Sequence, residues 1–343
     1  MKFGVLQFFS WPERRVALET VYERAFDRIR IMDETGYDAV WLAEHHFSSF
    51  SICPSIHMMG VHIAARTKRL RIGTAVSLAP FYHPLRLAEE VALLDVLSGG
   101  RVNWGAGRGY QMAEFQAFGL APEESYPRFR ENVQIVIEAW THERVSFKGR
   151  FWEFDDIEVL PKPAQKPHPP VWLAASSAEA INWAGENGFS IMMDPHSSHA
   201  QIGEKRGFYR DALARHGFSI EGRDVPMARL LSVARTRDEA ERIAREGAMW
   251  TVQSHRRPGL QGVEVQSDLN RKHFSVPDIA RGGGGDAVER YMNGVILWGT
   301  PDEVVDEIHR LREEIGLQYL LCAPLSHSSF MLFTDEVLPR LQA

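Results

Sequence analysis

Cysteine is scarce in this chain. Only Cys53 and Cys322 occur among its 343 residues, and two cysteines do not make a disulfide framework. So few cysteines are typical of a reducing compartment, and we predict a cytoplasmic protein. No apolar run approaches the roughly 20 residues that a transmembrane helix needs, so we expect no membrane segment. Residues 1–9 lack a cleavage-site pattern and are followed by charged residues, which favours a first strand over a signal peptide.

An excess of positive charge is also absent. Asp and Glu number 45 against 39 Lys and Arg, for a formal net charge of −6. No basic stripe stands out, and we therefore expect no nucleic-acid partner. The composition, 44% hydrophobic and 24% charged, is typical of a globular protein. A length of 343 residues suits one α/β barrel, so we predict a single domain over residues 1–343.

Short apolar segments alternate with amphipathic segments along the chain. This alternation, with short connections, predicts parallel strands joined by crossover helices. If one late insert is set aside, eight strand–helix units can be counted, which predicts a (β/α)8 TIM barrel. The predicted strands are residues 2–8, 39–43, 70–78, 101–106, 171–175, 189–193, 225–234 and 318–323. The predicted helices are residues 15–34, 55–66, 85–97, 126–140, 177–186, 201–216, 238–251, 301–315 and one ending near 338, with a surface hairpin over 145–154.

Two segments stand out from this regular pattern. Residues 253–286 are polar and contain Pro258, Gly259 and a glycine run. A loop of this length inside a compact domain is usually functional or mobile, so we predict a mobile lid. The helix over residues 55–66 is rich in small and soft side chains such as Met58 and Gly60. These favour close helix contact, either with a second subunit in a homodimer or with the helix's own barrel.

A carboxylate and two imidazoles, Glu44, His45 and His46, follow a short apolar strand directly. Catalytic groups of parallel barrels come from the carboxyl ends of the strands. Adjacent residues of a strand point to opposite sides, so only one of the two histidines can face the barrel mouth. That histidine could act as acid, base or hydrogen-bond donor, or it could be structural. No third ligand stands at a recognisable spacing, so we predict no metal site.

A glycine-rich turn, residues 105–109, follows the fourth strand and contains Arg108. Glycine allows close backbone approach, and arginine matches the geometry of phosphate. The turn could equally be a tight barrel connection, and no acidic residue at the required distance supports a dinucleotide fold. Ser176 and Ser177 lead from a strand into a helix, where hydroxyls and backbone N–H groups can bind an anion. A plain N-cap is the simpler interpretation of these serines, but Arg108 strengthens the phosphate hypothesis.

Together these segments resemble the bacterial luciferase-like flavin-dependent monooxygenase family, in particular the luciferase α subunit. The matching segments occur in the expected order over nearly the whole chain, and they are specific as a set although no single one is. They are KFG at 2–4, VWLAEHHF at 40–47, RIGTAV at 71–76, HPLRLAEEVALLD at 83–95, SGGRVNWGAGRG at 98–109 and WGTPDEV at 298–304.

The resemblance implies an enzyme that oxidises a small, largely apolar organic substrate through a C4a-peroxyflavin. Reduced FMN, delivered by a separate reductase, and oxygen would be its co-substrates, and the protein would shield the flavin from water. It implies that His45 is catalytic, that Arg108 and Ser177 hold the flavin phosphate, and that Ala75–Val76 is a cis peptide against the isoalloxazine. Glu114 falls where luciferase has an aspartate near the histidine, so we assign it to the catalytic group as well.

The sequence departs from luciferase at three positions near the expected cofactor. Gly107 stands where luciferase has a reactive cysteine, and in the phosphate loop Ser176 replaces a glutamate and Ala180 a threonine. We still expect Gly107 and Ser176 to contact the cofactor, with phosphate held more weakly or differently. Three alternatives stay open: an F420-dependent oxidoreductase, a non-catalytic flavin-binding subunit, and a hydrolytic barrel. The last would need a carboxylate pair that the strand ends do not provide.

Overall fold

The computed structural model describes residues 1–255 and 286–342. Most of the predicted lid, residues 253–286, therefore lies outside the described residues. Its two ends were assigned wrongly, because residues 253–255 continue one helix and residue 286 begins another. The hydrophobic periodicity predicted the first of these helices only as far as residue 251, whereas its hydrogen bonds continue to His255. Helix ends are the feature that such patterns predict least accurately.

Parallel strands form the centre of the molecule. In chain order the strands are β1 (Lys2–Gln7), β2 (Ala39–Leu42), β3 (Arg71–Thr74), β4 (Ser77–Leu78), β5 (Val102–Gly107), β6 (Arg144–Lys148), β7 (Glu153–Glu158), β8 (Val171–Ala174), β9 (Ser190–Met192), β10 (Pro226–Val233), β11 (Leu297–Gly299) and β12 (Tyr319–Pro324). The main sheet runs in the order β11-β10-β12-β1-β2-β3-β5-β8-β9.

Helices surround this sheet. They are α1 (Leu18–Glu34), α2 (Ile56–Ala64), α3 (Pro84–Leu97), α4 (Met112–Phe118), α5 (Ser125–Thr141), α6 (Ala178–Glu186), α7 (His199–Arg215), α8 (Arg237–His255), α9 (Asp286–Gly294), α10 (Pro301–Ile315), α11 (His327–Leu332) and α12 (Leu338–Gln342). A π-helical turn, Phe333–Val337, joins the last two. In the described ranges, no helix has both the length and the apolar character needed to cross a membrane.

The sheet curls until β9 meets β10. A parallel bridge joins Met193, just after β9, to Met227 on β10. The Met193 N–H also donates to the Pro226 carbonyl at 2.8 Å. Since β10 also pairs with β12, the strands β12, β1, β2, β3, β5, β8, β9 and β10 form a closed ring. The predicted (β/α)8 barrel is confirmed, and all carboxyl ends of these parallel strands open at one face.

Side chains of the ring alternate between two apolar layers. On β2 and the residue after it, Ala39, Trp41 and Ala43 belong to a cluster inside the barrel, which we call the inner cluster. Val40 and Leu42 point the other way, into the layer between the sheet and the helices. Both layers are buried, which explains why the strand reads as one continuous apolar run.

Several helix boundaries follow from recognisable end signals. Thr300 and Ser198 form capping boxes that begin α10 and α7, and Ser177 caps α6. The surface hairpin is confirmed as β6 and β7, and its turn is held by the Glu131 carboxylate, which accepts three backbone N–H bonds of 2.9 Å. The single predicted strand over residues 70–78 was wrong. The Ala75–Val76 peptide is cis and divides it into β3 and β4.

Candidate active site

His45 faces the barrel mouth and His46 does not. His45 continues the inward alternation of Ala39, Trp41 and Ala43, whereas the Nε2 atom of His46 lies 2.9 Å from Glu44. The His45 ring packs edge-on against Phe50 and Tyr110, with centroid distances of 5.2 and 5.8 Å. The two adjacent imidazoles therefore lie on opposite sides of the wall, as the geometry of a strand requires.

Glu114 fixes the orientation of the His45 ring. This carboxylate, on α4, is 1% exposed. Its Oε1 atom lies 3.1 Å from His45 Nδ1 and accepts the His46 backbone N–H at 3.0 Å. The Gln111 amide also reaches Nδ1, at 3.2 Å. Nε2 has no protein partner among the described residues, so this atom is the one that can exchange a proton with a bound molecule.

Glu44 has a structural role at the end of β2. Its carboxylate accepts the Leu78 backbone N–H at 3.1 Å and the Tyr82 hydroxyl at 2.8 Å, besides contacting His46. Burial first, and then the charge of Glu44, raise the pKa of Tyr82. The carboxylate therefore ties β2 to β4 and leaves the mouth to His45.

The Ala75–Val76 peptide lies inside the barrel beside the mouth. Both residues pack against the inner cluster. Val76 occupies the space that a side chain at position 107 would need, since a Cβ added to Gly107 would overlap its Cγ2 atom. Gly107 and Val76 are therefore complementary, and a larger residue at position 107 would meet this valine.

This complementarity makes a stability prediction. We expect Gly107→Ala to lower the free energy of unfolding by about 1–3 kcal/mol, because the added methyl group overpacks a buried contact. Adding Val76→Ala to the same chain should recover most of that loss. Chemical denaturation of the two single variants and the double variant measures the coupling.

A matched control is Gly207→Ala. Gly207 lies within α7, and an added Cβ there meets no atom within 4 Å. Alanine should be neutral or slightly stabilising at this helical position. Equal losses for the Gly107 and Gly207 variants, or a double variant no better than Gly107→Ala, would show that Val76 does not restrict position 107.

Arg108 lies directly after β5. Its guanidinium carbon lies 5.9 Å from the ring centre of Tyr126, and in the described part of the chain no carboxylate pairs with it. Burial lowers the pKa of Arg108. Arg130 stacks on Tyr126 at 4.3 Å and reaches Glu179 at 3.3 Å, while its Nε atom is buried with no hydrogen-bond partner among the described residues. Sequence reasoning missed Arg130, because its contact with Glu179 joins positions that are 49 residues apart.

Ser176 and Ser177 lie at the start of α6, next to the Arg108 turn. β5 and β8 are paired, with Ala106 opposite Leu173, so the loops that follow the two strands are neighbours. The Ser177 hydroxyl accepts the Ala180 N–H at 3.2 Å, which makes it the N-cap that the simpler interpretation anticipated. Ser176 is exposed. The other first-turn N–H groups still carry the positive end of the helix dipole.

The arrangement fits an aromatic anion better than a metal. Arginines with unused donors beside a helix N-terminus suit a phosphate, and the inner cluster suits a planar, largely apolar ring. Within the described ranges, no group of three or more His, Cys, Asp or Glu side chains is placed to hold a metal ion. These residues are therefore suited to a ligand that carries a phosphate and a planar ring.

Comparison with known proteins agrees with this geometry. Residues 1–319 match the family model described as luciferase-like monooxygenase. The oxygenase component of the flavin-dependent trigonelline monooxygenase of Acinetobacter baylyi is 26% identical over 319 residues, covering 90% of this chain and 85% of that protein. The alkanal monooxygenase alpha chain of the Kryptophanaron alfredi symbiont is 25% identical over 359 residues, covering 100% and 99%.

Solved structures share the whole fold. Monooxygenase RslO1 of Streptomyces bottropensis superposes with a TM-score of 0.83 at 27% identity, covering 99% of this chain and 100% of that one. The oxygenating constituent of 3,6-diketocamphane monooxygenase of Pseudomonas putida, in complex with FMN, gives 0.79 at 20% identity, covering 99% and 98%. An F420-dependent secondary alcohol dehydrogenase gives 0.75 at 19% identity, covering 98% of each chain.

The family model spans most of the chain, and the similarity to the relatives and to RslO1 extends over the same strands that carry His45, Ala75–Val76 and Arg108. The chain belongs to the luciferase-like monooxygenase family of flavin-dependent enzymes.

Proposed function

We propose that this protein is the oxygenase component of a two-component monooxygenase that uses reduced FMN and oxygen. The observation that carries the proposal is the placement of His45. Its Nδ1 atom is held by Glu114 at 3.1 Å, and its Nε2 atom is left for the barrel mouth. We further propose that the protein works in the cytoplasm, in keeping with its two buried, unpaired cysteines.

Two groups of residues would hold the flavin. Arg108 and the start of α6, with Ser176 and Ser177, would bind the phosphate, and Ala75, Val76 and Gly107 would contact the ring. Bound reduced flavin supplies the electrons that activate oxygen. A glycine at position 107 leaves no thiol against the ring, and Val76 takes up the space instead.

The remaining task of the protein is to move a proton and exclude water. His45 would exchange a proton at Nε2 while Glu114 keeps its ring in one orientation, since a fixed carboxylate partner selects one imidazole tautomer. The apolar inner cluster would exclude water from the reacting centre and accept the apolar part of a small substrate. The Acinetobacter relative, named as an oxygenase component, supports a separate reductase as partner.

Anaerobic titration separates this proposal from its alternatives. We expect reduced FMN to bind and reduced F420 not to bind. With a flavin reductase present, we expect oxygen consumption above the spontaneous oxidation of free flavin. Preferential binding of F420 would instead establish an F420-dependent oxidoreductase, a cofactor class that one structural neighbour uses. Flavin binding without enzyme-dependent oxygen consumption would establish a non-catalytic flavin-binding subunit.

We also propose that a second copy of the chain docks on α2 and α3. These helices pack closely, because a Cβ on Gly60 would lie 2.8 Å from Leu94. Their outer faces expose Met58 at 76%, together with Leu93 and Leu97. Exposed apolar side chains on neighbouring helices are typical of a subunit interface, and α2 contains the small and soft residues from which a homodimer was predicted.

Charge placed on this face should separate the subunits. We expect Met58→Asp to convert a dimer of 39.0 kDa chains into monomers, because a carboxylate buried in an apolar interface is strongly unfavourable. Light scattering coupled to size-exclusion chromatography at micromolar concentration measures the mass. Met249→Asp, at a methionine of α8 that is 44% exposed, is the control and should remain dimeric. A monomeric wild-type protein would refute the interface.

A further inference from the structure

A second polar pair lies on the wall opposite His45. The phenol oxygen of Tyr291, on α9, is 3.0 Å from Nδ1 of His196, in the loop after β9. In the closed ring of strands, β9 stands four places from β2, which carries His45, so the two walls face each other across the mouth. Neither Tyr291 nor His196 is among the residues proposed to hold the flavin.

A network of bonds holds the loop that carries His196. One oxygen of the Asp194 carboxylate accepts the backbone N–H groups of His196 and Ser197 at 3.0 and 2.7 Å. The other accepts the Lys205 ammonium at 3.0 Å, and this lysine is only 2% exposed. A buried ion pair with satisfied hydrogen bonds restricts the conformation of the segment it joins. The network therefore fixes the position of His196 at the mouth.

Tyr291 places a hydroxyl in apolar surroundings. The residue is 2% exposed and belongs to the inner cluster, against which the Ala75–Val76 peptide also packs. Burial first, and then the negative charge of Asp194, raise the pKa of Tyr291, so its phenol stays protonated at neutral pH. A buried hydroxyl of this kind normally has a hydrogen-bond partner, and the partner of Tyr291 is His196.

We propose that Tyr291 and His196 bind a neutral oxygen function of the substrate, a carbonyl or a hydroxyl, across the mouth from His45. The inference rests on the proposed function and names the substrate class of the same site. The phenol can act as donor or acceptor and the imidazole can donate, so the pair can donate to a carbonyl or accept from a hydroxyl. An anion is disfavoured, because a carboxylate would lose its hydration in the apolar inner cluster around Tyr291.

Four probes of one ring and seven carbons test this selectivity: toluene, benzaldehyde, benzyl alcohol and benzoate. Their dissociation constants are measured by ligand-observed NMR on the full chain without flavin. Benzaldehyde and benzyl alcohol should bind about tenfold more tightly than toluene, the effect of one well-made hydrogen bond, and benzoate should bind more weakly than either. In Tyr291→Phe the advantage over toluene should disappear.

Two further variants keep the test decisive. Tyr37→Phe removes another buried hydroxyl, one that bonds Thr334 at 2.9 Å, and should preserve the selectivity. His196→Gln should reduce the advantage even if Tyr291→Phe does not fold. Unchanged selectivity in Tyr291→Phe or His196→Gln, or a preference for benzoate, would overturn the inference. FMN binding is measured separately on the wild-type protein, so its failure would affect the proposed function and leave the probe result interpretable.

Discussion

Replacing His45 with alanine is expected to lower the turnover number for oxygenation by about 10² to 10⁴-fold, the usual contribution of a general acid or base. Flavin affinity should change little, because the imidazole is assigned to proton transfer and the phosphate contacts lie elsewhere. The measurement is enzyme-dependent oxygen consumption in the presence of a reductase, corrected for spontaneous flavin oxidation. Reduced FMN binding is determined on the same preparation.

His46→Ala is the matched control for this prediction. It removes an identical side chain from the adjacent position, but one that points to the other side of the wall and contacts Glu44. Glu44 keeps its bonds from Leu78 and Tyr82. We expect turnover close to wild type. Comparable losses in the two variants would mean that the loss reflects damage to the end of β2 and that His45 has no special role in proton transfer.

Replacing Arg108 with alanine is expected to weaken FMN binding by about 2–5 kcal/mol, roughly 30-fold or more, because a charge-assisted contact to a buried anion would be lost. Riboflavin, which lacks the phosphate, should bind wild type and variant equally. The comparison of the two ligands in the two proteins, by fluorescence titration, isolates the phosphate contact from any effect on the ring.

Arg210→Ala serves as the control for Arg108→Ala. Arg210 is an exposed arginine that pairs with its neighbour Asp211 at 2.8 Å, so its removal changes the net charge by the same amount without touching the mouth. FMN affinity should be retained. If Arg108→Ala weakens riboflavin as much as FMN, or if both arginine variants behave alike, Arg108 does not bind the phosphate.

Local patterns in the sequence were enough to predict the barrel. Each ring strand is buried on both sides and so appears as a short apolar run. The capping residues Ser177 and Thr300 mark the starts of α6 and α10. α10 was predicted with its observed bounds, Pro301–Ile315, and in the structure a capping box at Thr300 and a left-handed Gly316 define its two ends.

Elements without such signals were missed. α4 is seven residues long and has no side-chain cap, α9 begins at the last residue of the polar segment, and β11 is only three residues long. The division of the third strand could not be read from residues 70–78, because nothing in their apolar pattern marks the cis peptide. Resemblance to the family supplied that feature.

The residues of the candidate site could be predicted from the sequence only in part, for a related reason. His45 could be singled out because polarity changes abruptly at a strand end. Its partner Glu114 is 69 positions away and was assigned only through the family resemblance, and Tyr291 and His196 are separated by 95 positions. Such pairs are made by the closure of the barrel, which brings together loops with no common local pattern. Arg130 likewise meets Glu179 only because α5 and α6 lie side by side.

A crystal structure of the protein with bound FMN would show whether His45, Ala75–Val76 and Arg108 surround the flavin. We expect the phosphate on the Arg108 guanidinium and the first turn of α6, the isoalloxazine against Ala75–Val76, and Nε2 of His45 on the ring side. A flavin bound on the outer surface, or with its phosphate away from Arg108, would contradict the account.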